Sequence, residues 1–359
     1  MAHASVFTDL AKFYEHVSHE ELRQAAGATD FDLRLLRGYV AIYRLPRRAV
    51  YKGAVPELFH ANGTIAAGCS GALALSKLLL ATLLRRIKGD FRTVGVLNIV
   101  DDVVLQSTGG PQTVASELAG AHGQLLDGFA AIRQPVAAKK TAFLANSSAL
   151  QEALIRQSSL DEQAGATGVR HLGTDATDGR WRRTSTAVER ETGAHEAVGR
   201  AQVLREAGAD IGGVVRAGPT AKALWGAAVT GIPDGRLHSL RVGALRAEGR
   251  LPKGATVGLR FKASPGASHR DPFVLVAVET AKKHAMVVRA GLPSSAALLA
   301  VGEQAVKIPG RKAPWRSCRD PIEAFVLTVR RIGWGGCCRT TSWWTTWAAC
   351  GTSRRWHRG

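Results

Sequence analysis

Three carboxylates hold the chemistry this sequence offers. Asp9 follows a short run of β-type residues, and Asp101 and Asp102 stand side by side in Val94–Gln106, where β-branched residues flank them. Two strands of one sheet can bring such groups together across a long stretch of chain. Paired carboxylates are the hard oxygen ligands that hold two divalent ions about 3.5–4 Å apart, an arrangement that activates a hydroxyl and steadies a leaving pyrophosphate. Asp9 and Asp101 are the expected ligands, with Asp102 as their neighbour. By itself an Asp-Asp pair in a turn is more often a polar turn, so the elements around it decide its meaning.

Those elements can be read from pattern. Residues 5 to 17 begin as a β-type run that leaves Asp9 near a strand end, and Ser18 with Glu21 has the spacing of a capping box opening a helix through Ala25. Gly68 to Lys88 is rich in helix formers, with Ser70 as the expected N-cap and Arg85, Arg86 and Lys88 at the negative end of the dipole. Val94–Gln106 predicts two strands and a tight turn, the acidic pair at the tip because Asp tolerates turn geometry that Val resists. A helix over Val114–Ile132 is expected to pack on the sheet. Beyond Ser147 come a strand-like Gly168–Gly173, a helix Thr186–Ala207, and Ala- and Leu-rich helical stretches as far as Arg331. The expected fold is α+β: residues 1–150 form an antiparallel sheet backed by helices, and 151–332 a mostly α-helical region. Residues 333–359 form an irregular Trp-, Cys- and Arg-rich tail without acids. That tail matches no metal spacing and reads as a frame-shifted or decayed end, with a base-stacking platform as its functional alternative.

The motifs resemble, in order, those of reverse transcriptases from non-LTR-like retroelements. Asp9-Leu-Ala-Lys-Phe-Tyr14 is similar to the first palm motif, an Asp followed by aromatics four and five positions on. Ile99-Val-Asp-Asp102 is similar to the aromatic-x-Asp-Asp box, with Ile for the aromatic. Between them, Ala67-Gly-Cys-Ser70 stands where the Gly-containing nucleotide motif would be, with Ala67 for the common Gln. Lys139-Lys140-Thr-Ala-Phe-Leu144 resembles the Lys motif after the hairpin, and His171-Leu172-Gly173 the primer grip. The resemblance spans about residues 5 to 175. It implies a polymerase palm followed by a thumb-like region, and RNA-directed DNA polymerisation with two Mg²⁺ ions, for which Mn²⁺ can substitute. It also implies metal binding by Asp9, Asp101 and the Leu10 carbonyl. Tyr14 would be the gate against ribose, Gly68, Ser70 and Lys140 substrate contacts, and Leu172 and Gly173 primer contacts. RNA template, DNA primer and deoxynucleoside triphosphates are the implied partners, and the nucleus the implied compartment. The family places a fingers region before its first palm motif and eight residues precede Asp9 here. The expectation is therefore an N-terminally truncated copy, weak or inactive unless another chain supplies fingers.

Composition agrees in part. A formal charge of +19 and a pI near 10.4 favour a polyanionic partner through counterion release, although an Arg-rich, Ala- and Gly-rich composition accounts for the charge equally well. Five cysteines without regular spacing argue against a disulfide framework or zinc site and fit a reducing compartment. The greasy stretch Leu78–Leu84 is too short to span a bilayer, and no secretory signal opens the sequence. Two other functions remain in view. One is a non-catalytic, basic nucleic-acid-binding remnant, with Arg180, Arg182 and Arg183 around Trp181 as phosphate contacts. The other is a ribonuclease H-like nuclease built on Asp175 in Gly173–Gly179, a phrase that reads otherwise as a polar loop.

Overall fold

The computed structural model describes residues 1–48, 57–58, 60, 63–158, 168–177, 183–249, 254–263, 270–289, 300, 303–304, 314–318 and 320–333. Arg180, Trp181, Arg182 and the tail after residue 333 lie outside the described residues. The chain forms two compact units, Met1–Val169 and Arg170–Gly359.

The first unit is a mixed α/β structure on a small antiparallel sheet, compatible with the α+β class. Strands β1 (Ala2–Asp9), β2 (Val94–Ile99), β3 (Asp102–Gly109) and β4 (Ala142–Ala145) lie in the order β2-β3-β1-β4, so that β1 is central. Because successive side chains of a strand point to opposite faces, Ala4 and Val6, Val103 and Leu105, and Phe143 and Ala145 line one face. These residues join one buried cluster with Leu75 and Leu79 of helix α4 (Ala72–Asp90), Leu118, Leu125 and Phe129 of α5 (Pro111–Ala131), and Leu150 and Leu154 of α6 (Ser148–Gln157). Three shorter helices, α1 (Phe13–His16), α2 (His19–Gly27) and α3 (Leu33–Arg44), precede α4 and add Phe13, Leu22, Leu36 and Tyr43 to that cluster. The units divide at Val169, beyond the expected boundary at 150, because α6 runs through that position and buries Leu150 and Leu154 in the first core.

Local signals explain the helix ends. Ser18 caps α2, its hydroxyl accepting from the Glu20 N–H at 3.1 Å, with Glu20 and Glu21 at the positive end of the helix dipole. Ser70 does not cap α4. The helix starts at Ala72 behind Gly71, and the Gly71 N–H points instead at the Cys69 sulfur at 3.3 Å. Leu78, Leu79 and Leu80 are buried in α4, and among the described residues no helix is long and apolar enough to cross a membrane.

Among its described residues the second unit is helical apart from the hairpin of β5 (Gly168–His171) and β6 (Thr174–Thr177) at its boundary. Its helices are α7 (Ser185–Glu206), α8 (Gly212–Val215), α9 (Ala221–Leu224), α10 (Ala227–Thr230), α11 (Asp234–Ala247), α12 (Val257–Ala263), α13 (Pro272–Arg289) and α14 (Pro321–Arg331). Thr174–Thr177 is thus a strand and not the polar loop that is the alternative to the nuclease reading of Asp175. Leu172 and Gly173, with φ of 47° and 70°, make the left-handed two-residue turn that a twisted hairpin needs, and the turn lets the polar residues after it pair.

Candidate functional site

β1 and β3 pair so that Asp9 lies directly opposite Asp102, and β2 pairs with β3 so that Ile99 also faces Asp102. Asp9 shares its sheet face with Ser5 and Phe7, and Asp102 shares the same face with Val104, the face opposite the helix-packed core. Residues opposite each other in an antiparallel pair have Cβ atoms about 4.5–5.5 Å apart, so the register alone makes Asp9 and Asp102 neighbours. Val100 and Asp101 form the two-residue tip between β2 and β3.

The tip differs from the expected turn in which residue bends. Val100, not an aspartate, has the left-handed backbone, with φ of 62°. That conformation is costly for a β-branched side chain and persists only where the surroundings enforce it. Asn98 supplies part of the enforcement, its side-chain amide donating to the Val100 carbonyl at 3.1 Å and, more weakly, to the Asp102 carbonyl at 3.5 Å. By taking the left-handed position, Val100 leaves Asp101 in an ordinary conformation at the tip. Sequence reasoning missed both residues. The available signal was Asn98 itself, a strand-poor residue two positions before the turn.

The Lys140 ammonium completes the cluster. It ends a 3₁₀ turn, Ala138–Lys140, anchored to the strand end by the Ala137 N–H donating to the Asp9 carbonyl at 2.8 Å. From there Lys140 donates to the Asp9 carboxylate in a close ion pair, Asp9 being 15% exposed and Lys140 70%. Burial pushes Asp102 up to about 6, with repulsion from Asp101 and then Asp9 adding to it and Lys140 opposing. Asp101 is raised too, chiefly by burial, with Asp9 adding to the rise while its own backbone N–H and Lys140 oppose it. Lys140 is raised in turn, first by its bond to Asp9 and then by the three carboxylates. Asp9, Asp101, Asp102 and Lys140 therefore form one electrostatic cluster, negative in excess, at the end of the sheet.

Beyond Asp9 the chain makes a single bridge, Leu10 to Val136, which uses the Asp9 carbonyl and the Ala11 N–H. The Leu10 carbonyl takes no part in this bridge. Carboxylates of Asp9 and Asp101 with a main-chain carbonyl from Leu10 make a hard-oxygen donor set of the chemistry that Mg²⁺ or Mn²⁺ prefers. The side chains do not close into a group of three metal-ligating residues among the described residues; the Asp9 carboxylate is turned to Lys140.

The remaining expected positions sit apart from the cluster or beside it. Tyr14 lies in the one-turn helix α1, half-buried edge-on against Phe13 at 5.6 Å, and its carbonyl accepts from Ile65. Gly68 has φ of 81° and open space where a Cβ would be, and Ser70 is exposed, both just before α4. Leu172 and Gly173 belong to the β5–β6 turn, where the Leu172 carbonyl accepts from the Trp225 indole at 2.9 Å. Asp175 is engaged structurally: its carboxylate accepts from the Thr186 N–H at 3.0 Å and the Thr186 hydroxyl at 2.6 Å, tying β6 to the start of α7.

No protein-family model matches this chain, and no curated protein matches it.

Proposed function

We propose that the carboxylate end of the sheet is the metal centre of a reverse transcriptase palm, and that the chain is by lineage an RNA-directed DNA polymerase. The observation that carries this reading is the register that sets Asp9 opposite Asp102, with Asp101 at the adjoining tip and Lys140 on Asp9. A polar turn formed for solubility would not set three half-buried like charges beside one another and strain a valine to do so. Asp9, Asp101 and the Leu10 carbonyl would hold Mg²⁺ or Mn²⁺, and the bound ions would supply activation of a primer hydroxyl and neutralisation of the departing pyrophosphate. Asp102 deepens the negative potential that attracts the ions. Asn98 fixes the tip, and Lys140 keeps Asp9 compensated and oriented. Tyr14 excludes the ribose 2′-hydroxyl, Gly68, Ser70 and Lys140 contact the nucleotide, and Leu172 and Gly173 hold the primer.

Primer extension on a poly(A) template with thymidine triphosphate tests the reading, comparing the chain with its Asp101→Ala variant. Weak incorporation at most, needing Mg²⁺ or Mn²⁺ and disappearing in the variant, is the expected result. A second reading, a basic nucleic-acid binder without catalysis, draws on the ion pair that ties Asp9 to Lys140 and on the excess of positive charge. Salt-sensitive binding of template-primer by both proteins, with incorporation by neither, would favour it and overturn the catalytic one.

A further inference from the structure

The second unit contains a shallow, open recess that Asp175 helps to line and whose walls include none of the carboxylates at the sheet end. The β5–β6 turn, the first turns of α7, and the segment from α9 to the start of α11 line it. Its chemistry is set by two residues. Trp225 is 60% exposed, and the bond from its indole N–H to the Leu172 carbonyl fixes the ring's orientation, so that a flat apolar face is held toward solvent at little further entropic cost. Arg190 lies half-buried beside it and donates to the Trp225 carbonyl at 3.4 Å.

The charges in the recess are unevenly matched. Glu191 is answered by Arg236 at 3.4 Å, and Asp175 spends its oxygens on Thr186 and Ser185. Arg190 meets no carboxylate within ion-pair distance among the described residues, although Asp175 and Glu189 lie within electrostatic range and Arg170 opposes them. A half-buried guanidinium without a carboxylate keeps several N–H donors for an anion, and its fork geometry suits phosphate. The Arg190 guanidinium packs against Gly173, so that a Cβ there would push its tip aside.

We propose that this recess binds a phosphate-bearing aromatic ring, a nucleotide or the nucleotide at a strand end, with Trp225 as the stacking face and Arg190 as the phosphate partner. The recess contains none of the residues assigned to the metal centre, but its turn carries Leu172 and Gly173, which the polymerase reading gives to the primer, so the test rests on Arg190 and Trp225, to which that reading gives no role. It pairs the two elements by which single bases are held without sequence preference, a ring face and a cation.

Titration calorimetry on the full chain tests the proposal with four probes: deoxyadenosine 5′-monophosphate, deoxyadenosine, inorganic phosphate, and a 5′-phosphorylated oligo(dA). The monophosphate is expected to bind at least about tenfold more tightly than deoxyadenosine or phosphate alone, because each lacks one of the two contacts. Arg190→Gln is expected to weaken it by about tenfold or more, and Trp225→Leu by about fivefold or more. Arg190→Lys, which keeps the charge and loses the fork, should fall between wild type and Arg190→Gln. If the oligonucleotide binds far more tightly than the monophosphate with the same dependence on Arg190 and Trp225, the strand end is the natural occupant; comparable affinities assign the site to free nucleotide. Equal binding of monophosphate and phosphate, or affinities unchanged in folded Arg190→Gln and Trp225→Leu proteins, would overturn the proposal. The comparison among probes needs no variant, so a misfolded substitution does not shield the idea.

Discussion

In the first unit like charges crowd the end of a sheet whose other face is one continuous core. In the second, the apolar residues divide into smaller clusters, and arginines tie the helices that carry them. Arg241 forms a two-pronged pair with Asp271, 2.8 Å at each prong, and lies over the rings of Phe261 and Phe273. Arg331 donates to Asp234 at 2.6 Å and covers the ring of Trp315, and Arg205 donates to the Arg246 and Ala247 carbonyls at the end of α11. The contrast teaches where each kind of charge can be kept. Uncompensated negative charge requires a frame stiff enough to carry the cost, and a register-locked sheet over a large core is such a frame. Positive charge on a long side chain can bind helices together while its spare donors face outward.

The sharpest way to break the contrast is at Asp271, which is 4% exposed and also accepts from the Phe273 N–H at 2.9 Å. Asp271→Ala leaves a partly buried guanidinium without its carboxylate and is expected to cost the second unit about 3–5 kcal/mol. Denaturant unfolding with a probe in each unit should show the loss in the second alone; loss shared equally would mean that the units do not divide their stability as described.

Acid probes the first core. His122 is 1% exposed, edge-on to Phe143, and burial pushes it down to about 4. The unfolded chain takes up this proton below about 6.5 while the folded chain refuses it. The group's contribution is therefore intact above about 6.5 and is lost progressively as pH falls toward 4, by about 3 kcal/mol at most. In His122→Leu the first unit should lose less stability across that window, as read from melting temperature against pH.

Smaller effects of the opposite sign belong to the carboxylate end. Asp102 is raised when folded, so the stability it costs the fold accrues as pH rises from about 4 and is complete above about 6. Asp102→Asn is expected to stabilise the first unit at pH 7 by about 1–2 kcal/mol, after allowance for partial exposure, and to give nothing below about pH 4. Val100→Gly should stabilise it by about 1 kcal/mol, since relief of the left-handed valine exceeds the extra chain entropy of glycine. A destabilised Val100→Gly protein would show that the tip is held for packing and not against strain.

Much of this organisation is legible in the sequence. Asp9 at a strand end, the acidic pair at a hairpin tip, the Ser18 cap and the helix that became Pro111–Ala131 follow from alternation and capping chemistry, which act over a few residues. Lys140 is legible only as a charge near the end of the motif order; its bond to Asp9 depends on a 3₁₀ turn beside the β1 end. Two local inferences fail because a neighbour takes the part: Val100 bends where Asp was expected to, and Gly71 with Cys69 replaces Ser70 at the start of α4. The recess is invisible in the sequence, since Arg190 and Trp225 meet through a backbone carbonyl across a fold with no repeating pattern.

The central place of β1 also constrains how the first unit comes into being. Ala2–Asp9 finds its partners in Asp102–Gly109 and Ala142–Ala145, far along the chain, while the β2–β3 hairpin and the helices between can form from near neighbours. Closing such distant pairs is slow, and a ribosome delivers only about 5–20 residues per second. Nascent chains that end before Ala145 will expose an unpaired β1 edge, so a trigger-type chaperone or a fused partner that covers it during synthesis should raise the soluble yield.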